Sequence, residues 1–499
     1  MFRNRLLSVS LLLLLAFPAL MRGQTNYPII DTGLNKCYDD SLEIAIPNQG
    51  EPFYGQDAQY DGIQFSFQDN GDGTVTDLNT GLMWQQTPDF DNKQEWADAV
   101  AGGDTFSLAG HNDWRLPTIK ELYSLINFNG TSFDTIPYID TTYFDFEWGD
   151  TTQGERLIDA QYWSNTKYVG TTMNGDETAF GVNFADGRIK GYPTETGPGG
   201  SAFRAYVRYV RDGSNYGENN FVDNGDGTIT DLATGLMWTK IDSDSTYNWE
   251  EALAYAENLV FAGYDDWRLP NTKELQSIVD YTRAPDASNP EQQGPAIDTI
   301  FDVTEVESWC WTSTTHLDGP FPTFAVYVCF GQAWGYMGPP GQGEWLNVHG
   351  AGAQRSDPKS GNPANWPWGH GPQGDQVRIY NYVRCVRGGL TGIEEGKKEL
   401  ERGTRNLELI VTPNPFTDKV NIYLGIYDVG YTMHDTSVQI YDLVGRLVRQ
   451  IPISKSQSPV SSVTWDGKDE KGNELTSGVY YIKISADGHK EIKKLLLVK

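Results

Sequence analysis

The sequence predicts an α+β protein: two tandem copies of one mixed domain, followed by an all-β, Ig-like sandwich. Three observations predict it. The run Phe67 to Trp84 recurs at Phe221 to Trp238 with changes at only three positions, Gln68/Val222, Val75/Ile229 and Asn79/Ala233. Each copy joins a hairpin signal to a helix signal. The segment after Leu407 alternates apolar and polar residues in short runs between turn residues.

The first element is a leader. Basic Arg3 and Arg5 precede an apolar stretch from Leu6 to Leu20, and small and polar residues follow at Arg22, Gly23 and Gln24. The stretch is short for a membrane span, so residues 1–23 read as a secretory signal peptide. No other segment is apolar enough to span a membrane. An extension, 24–59, leads into the first copy at 60–212 and the second at 215–389. A charged linker, 390–406, precedes the tail at 407–499.

Within each copy, Asn-Gly-Asp-Gly between apolar runs signals a tight hairpin, because Asn and Gly accept positive φ. Thr74-Val75-Thr76 and Thr228-Ile229-Thr230 supply the β-branched returning strand. Asn248 is placed to cap a helix whose Trp249, Leu253 and Ala256 share a face, and copy 1 has a weaker version over Lys93 to Val100. Asp-Trp-Arg-Leu-Pro recurs at Asp113 and Asp266. Thr118 or Thr272 then caps a second helix with Glu121 or Glu274 in its first turn. Trp114-Arg115 and Trp267-Arg268, each just before a capped helix, read as architectural. Strands follow over Ala179 to Phe184 and Ala205 to Val210, and each copy closes on Tyr-Val-Arg-x-Val-Arg, at Tyr206 and Tyr382.

The net charge of −29 has a location. The tail from Thr391 carries 15 basic and 15 acidic residues, so the whole excess falls in residues 1–390. Such a surface repels nucleic acid and other polyanions and suits cations or solubility. Four cysteines in an exported chain are candidates for disulfides. Copy 1 replaces Cys329 by Asn183 and Cys385 by Tyr209, so both are lost together. That favours a Cys329–Cys385 bridge and leaves Cys37 and Cys310 as a second bridge or free thiols.

Candidate sites are few. Asp69, Asp72 and Asp77, with Asp223, Asp226 and Asp231, offer side-chain oxygens to Ca²⁺. Their spacing is not that of an EF-hand, and Asx-rich turns also form without metal. Copy 2 carries a long insertion, Gly335 to Gln376, in which Trp345, His349, Arg355, Asp357, Trp366, Trp368 and His370 stand among Gly and Pro. Aromatic and polar residues on a long loop suit a carbohydrate or peptide ligand. The chain has no Gly-x-Ser-x-Gly, no His-Glu-x-x-His and no phosphate loop, and its six histidines form no recognisable nucleophile or metal set. No catalytic residue is assigned, and the chain reads as a non-enzyme.

The motif set Asp-Asn-Gly-Asp-Gly-Thr, Gly-Leu-Met-Trp, Asp-Trp-Arg-Leu-Pro and Arg-x-Val-Arg resembles the Lcl C-terminal domain of a collagen-like adhesin. More distantly it resembles the C-type-lectin-like fold. The resemblance implies two C-type-lectin-like domains and an extracellular adhesive or ligand-binding role. The sugar-binding triplets of calcium-dependent lectins are missing, and the acidic charge does not suit a sulfated polysaccharide. The tail, through Pro413-Asn414-Pro415-Phe416, Gly445-Arg446, Ser477-Gly478-Val479-Tyr480-Tyr481 and Lys493 to Lys499, resembles a type IX secretion C-terminal sorting domain. Through Trp465-Asp466-Gly467 it is also similar to a flagellar-hook-cap Ig-like module. The expected protein is secreted and held at the outer cell surface, with a glycan or protein ligand and the type IX machinery as partners. A secreted enzyme using the loop 335–376 and a structural envelope protein are the competing readings.

Overall fold

The computed structural model describes residues 27–388 except 174, 196–201 and 214, and residues 407–499 except 413–415, 418, 427–436, 443–445, 453–459 and 487–488. The expected signal peptide 1–23, the expected linker 390–406 and Pro413-Asn414-Pro415 therefore lie outside the described residues. The chain divides into two compact units, Met1–Ile393 and Glu394–Lys499. Both are rich in β-structure, and the helices are short.

Each repeat opens with the expected hairpin. Phe67–Asp69, Thr74–Asp77, Met83–Gln85 and Val210–Arg211 form one antiparallel four-stranded sheet. Repeat 2 builds the same sheet from Phe221–Asp223, Thr228–Asp231, Leu236–Thr239 and Val386–Gly388. The turn needs left-handed backbone, and Gly71 and Gly73 supply it at φ +72° and +86°. Asn70 closes it by donating its side-chain amide to the Thr74 and Thr76 hydroxyls, 2.9 Å each.

Helix starts follow from capping. α1 (Trp96–Gly103) has no side-chain cap and begins later than the expected Lys93. α2 (Ile119–Ser124) starts at Thr118, whose hydroxyl accepts from the Glu121 amide while Glu121 returns to the Thr118 amide. α3 (Trp249–Glu257) is capped by Asn248 as expected, and buries Trp249, Leu253 and Ala256. α4 (Thr272–Ser277) is capped one residue earlier than the expected Thr272, because Asn271 presents the oxygen that the Glu274 amide needs.

The recurring sequence anchors turn out to be one polar network. Arg115 grips Glu121 with both guanidinium nitrogens, at 2.7 and 2.6 Å, and Arg268 grips Glu274 at 2.6 Å twice. The Arg of Asp-Trp-Arg thus locks the first turn of the following helix. The last Arg of the closing motif, Arg211 or Arg387, forks onto the Asp of the same motif, Asp113 or Asp266. The first Arg of that motif is fully buried. Arg208 donates to the carbonyls of Gln85, Gln86 and Asp145 at 2.7, 2.5 and 2.6 Å. Arg384 does the same to Thr239, Lys240 and Asp302, at 2.8 Å each. Around these anchors the closing segment is not the continuous strand expected from Ala205. Ala205 and Tyr206 form isolated bridges, and only Val210–Arg211 pairs as a strand.

The two copies are not independent modules. Gln161–Lys167, Thr178–Asn183 and Arg188–Pro193 of repeat 1 join Gln354–Pro358, Phe324–Cys329 and Trp309–His316 of repeat 2 in a single six-stranded sheet. Like strands meet antiparallel at its centre, Gln354 opposite Ile189, which relates the copies by a local two-fold. The helices obey the same symmetry. The Lys120 ammonium donates to the Ser277 carbonyl that ends α4, and Lys273 donates to the Ser124 carbonyl that ends α2. Each cation therefore sits on the negative end of the partner helix. Tyr123 and Thr272 share a 2.8 Å hydroxyl contact on the same seam.

The extension, described over 27–59, is a strap across both repeats rather than a separate tail, and the Thr32 carbonyl accepts from the Phe128 amide of repeat 1 at 2.8 Å. Asp31 receives Lys273 on its carbonyl, Asp39 receives Lys359, and Asp57 accepts from Thr32 at 2.8 Å and from Thr314 at 2.6 Å. The insertion 335–376 is likewise not a free loop. It contains most of the hairpin Trp334–Met337 with Glu344–Asn347, and the central strand Gln354–Pro358. The expected Cys329–Cys385 bridge does not form. All four cysteines are buried free thiols. Cys329 and Cys385 pack as apolar side chains in one core cluster, beside Trp309 and Trp311, and burial pushes both thiols well above the usual range.

The tail folds as the expected sandwich. Leu407–Thr412, Val420–Ile426 and Val460–Trp465 form one sheet. Leu447–Pro452, Ser437–Asp442, Gly478–Ala486 and His489–Leu497 form the other. Phe416, Ile422, Ile440, Trp465, Ile482 and Leu495 fill its core.

Two outcomes are expected. Arg208→Met removes a charged donor from three carbonyls and costs about 3 kcal/mol in urea unfolding, far more than a surface Arg change. The second concerns pH. Burial pushes the Lys273 ammonium down to about 7, partly offset by Asp31. Between pH 7 and the ordinary lysine range the unfolded chain binds more protons than the folded one, so this group makes stability rise with pH. Lys273→Met flattens that rise in unfolding midpoints measured from pH 7 to about 10.

Candidate functional site

The insertion of repeat 2 builds an aromatic face. Its hairpin sets Tyr336 opposite Trp345, with ring centroids 5.4 Å apart. The turn at Gly338 and Gly341 brings the Gly343 amide back onto the Tyr336 hydroxyl at 2.7 Å. A returning segment then pairs with the hairpin: Tyr336 donates to the Gly374 carbonyl at 2.8 Å and Gln376 to the Trp334 carbonyl at 2.9 Å. This puts Trp368 on the same tyrosine, centroids 4.9 Å apart. The approach requires glycine at 374, where a Cβ would meet the Tyr336 carbonyl oxygen at 2.4 Å. Trp345 and Trp368 are 38% and 42% exposed, so two indoles face solvent over one nearly buried tyrosine. Trp366 and His370 continue the row at 5.0 Å, and Phe324 stacks beneath His370 at 5.2 Å.

The other expected ligand residues are buried, and the structure corrects them. His349 Nε2 lies 3.0 Å from Asp375 Oδ1, and Arg355 pairs with the other oxygen of that carboxylate. Burial, reinforced by Arg355, holds His349 well below the usual imidazole range, so it is neutral. Asp357 accepts from the amides of Arg378 and Ile379 at 3.0 and 2.9 Å and from the Asn381 side chain at 3.2 Å, and burial pushes it up to about 6. It holds Ile379 at φ +65°, a conformation that costs a β-branched residue energy. His349 and Arg355 thus hold Asp375, which pairs with Gly335 and His370 behind the aromatic face, while Asp357 holds the 378–381 segment; all three are buried.

The aspartates of the hairpins serve their own turns. Asp69 accepts from the Gly71 amide, Asp72 from the Thr74 amide and hydroxyl, and Asp77 from the Asn79 amide. Asp223, Asp226 and Asp231 repeat the pattern, and Asp231 also takes Asn219 and Thr234. Asp69 and Asp72 lie at the exposed tip, whereas Asp77 is buried at the far end of its strand. Among the described residues no group of three or more His, Cys, Asp or Glu side chains is placed to hold a metal.

Repeat 1 has a groove of a different kind, which the motifs did not indicate. It encloses about 510 Å³ and is lined by Phe90, Asp91, Phe146, Glu147, Trp148, Asp150 and Tyr206. Phe146 meets Trp148 edge-on at 5.2 Å, and Phe90 meets Tyr206 edge-on at 5.4 Å. The signal that could have found it is the alternation Phe146-Glu147-Trp148, aromatic and acidic in turn.

Comparison with known proteins agrees with the repeat pattern. The Lcl C-terminal domain model matches residues 73–211 and 227–344, together more than half of the chain. The second match stops one residue before Trp345, so most of the aromatic face lies outside it. The FlgD Ig-like domain model matches residues 424–490. No curated protein matches the chain in sequence. Among solved structures, PorZ, a surface component of the type-IX secretion system of Porphyromonas gingivalis, is 26% identical over 18% of this chain and 11% of its own, with a TM-score of 0.14. FlgD from P. aeruginosa is 25% identical over 18% of this chain and 70% of its own, with a TM-score of 0.14. Dimeric latent PorU from Porphyromonas gingivalis is 13% identical over 65% of this chain and 24% of its own, with a TM-score of 0.18. This chain thus spans about a tenth of PorZ. No helix among the described residues is long and apolar enough to cross a membrane. On its two matched repeats, the chain belongs to the Lcl C-terminal domain family.

Proposed function

We propose that this protein is exported, displayed at the cell surface, and binds an extracellular glycan through Tyr336, Trp345 and Trp368 of repeat 2. The observation that carries the reading is the pair of exposed indoles fixed over one tyrosine. Flat aromatic faces bury the CH face of a sugar ring at little entropic cost, because each ring has only two torsions to fix. The glycine turns and the His349–Asp375–Arg355 support make that face rigid before any ligand arrives. The family match and the C-type-lectin-like reading of the repeats fit an adhesive role. Burial of His349 and Arg355 supports binding rather than turnover. In the same reading the C-terminal sandwich is the address read by the type IX machinery. Its last strand, His489–Leu497, lies at the edge of a sheet, where Phe416 bridges only its end at Leu497.

A glycan array probed with the full chain tests this. Binding to a defined glycan class is expected, and Trp345→Ala or Trp368→Ala weakens it about tenfold while the thermal midpoint holds. No binding by the full chain would sink the reading and favour a structural envelope role. A parallel array in EDTA tests calcium at the aspartate turns; unchanged binding removes the ion from the reading. Export is checked separately: deleting 407–499 is expected to leave the protein inside the outer membrane of a type IX host.

A further inference from the structure

We propose that the groove of repeat 1 is a second binding site, which takes the lysine or arginine side chain of a basic peptide. It does not depend on the glycan reading of repeat 2. Four aromatic rings line its walls and three carboxylates, Asp91, Glu147 and Asp150, stand exposed around them. Asp91 and Glu147 pair with no cation among the described residues, and each leaves its charge to solvent. Rings that cover methylenes, with carboxylates at the rim, match an ammonium or guanidinium on an alkyl stem. A bare metal ion would leave the rings unused.

Two further observations point to an occupant. Tyr206 is only 3% exposed and lines the groove, and its hydroxyl, bonded to no side chain or backbone group among the described residues, keeps its remaining exposure toward the groove. A hydroxyl that reaches solvent only through the groove is free to bond a polar group placed there. The chain also shows what the ring accepts. The Lys93 ammonium, tied to Glu155 at 2.6 Å and to the Asp159 carbonyl at 2.7 Å, lies 4.7 Å from the Tyr206 centroid. One cation is thus already drawn to this tyrosine from the protein side.

The other repeat supplies the contrast. By the shared anchors, Phe90 corresponds to Ser243, and Phe146 and Trp148 to Val303 and Glu305. There the matching Tyr382 is met by Glu305, and Ser243 closes onto its own loop at Ser245. Repeat 1 instead runs a longer segment from Asp145 to Gln161, which holds the groove open. The difference lies in the residues a ligand would touch, while the buried arginine beneath, Arg208 or Arg384, is the same in both.

The test is calorimetric titration of the full chain with tetralysine and tetra-arginine, against tetraglutamine as the uncharged control. Binding of the basic peptides that weakens with salt is expected, with none for tetraglutamine. Joint Glu147→Gln and Asp91→Asn substitution, both on exposed side chains, lowers affinity about tenfold, and Trp148→Ala does the same. Joint Glu250→Gln and Asp265→Asn substitution on repeat 2 removes the same charge elsewhere and leaves affinity unchanged. Equal loss from both pairs would mean diffuse attraction to an acidic protein and overturn the site. So would failure of either basic peptide to bind, or equal binding of tetraglutamine.

Discussion

Two lysines from one repeated Lys-Glu-Leu motif hold the first unit together. Lys120 and Lys273 each end the helix of the other copy, and neither helix has another cation in its last turn. Burying an ammonium is costly unless its donors are met, and each lysine here finds carbonyls from more than one segment. Both ammonium groups are pulled below the ordinary lysine range by burial. The six-stranded sheet, the strap 27–59 and the placement of both candidate surfaces follow from that closed seam.

The arginines divide the remaining work. Arg115 and Arg268 fix helix starts, Arg211 and Arg387 close the hairpin sheet onto the same motif, and Arg208 and Arg384 hold loop carbonyls in the core. The guanidinium is suited to all three tasks, since its planar fork satisfies several acceptors at once. With the frame set this way, insertions are free to differ. Repeat 2 spends its insertion on an aromatic hairpin, and repeat 1 on an aromatic and acidic groove.

Much of this was legible in the sequence. Hairpin, α3 with its Asn248 cap, and tail strands are local, and local chemistry specifies them: turn glycines, capping boxes and period-two alternation. The repeat itself was read from identity alone. The shared sheet was not legible, because Arg188–Pro193 and Gln354–Pro358 carry no mark saying that they pair with each other. The paired loss of Cys329 and Cys385 tracked a shared core position and not a bond. His349, Arg355 and Asp357 looked like ligand residues because polar side chains in a Gly-rich insertion usually reach solvent, and here a buried central strand runs through the insertion. Trp345 and Trp368, named as ligand candidates on the same insertion, are the ones left exposed. The groove was missed because its residues come from three separate segments.

The central strand pair has a further consequence. When repeat 1 forms before repeat 2 is in place, Arg188–Pro193 is a bare edge with unpaired backbone groups, the usual template for aggregation. Arg188 and Lys190 lie two apart on that edge and point to one face. In a half-made molecule they are gatekeepers that discourage pairing with another chain. In the finished one they are neutralised by Asp186 at 2.7 Å from Lys190, and by Asp318, contributed by the second repeat. The same two charges that guard the nascent edge thus become the lock that accepts only its own second half.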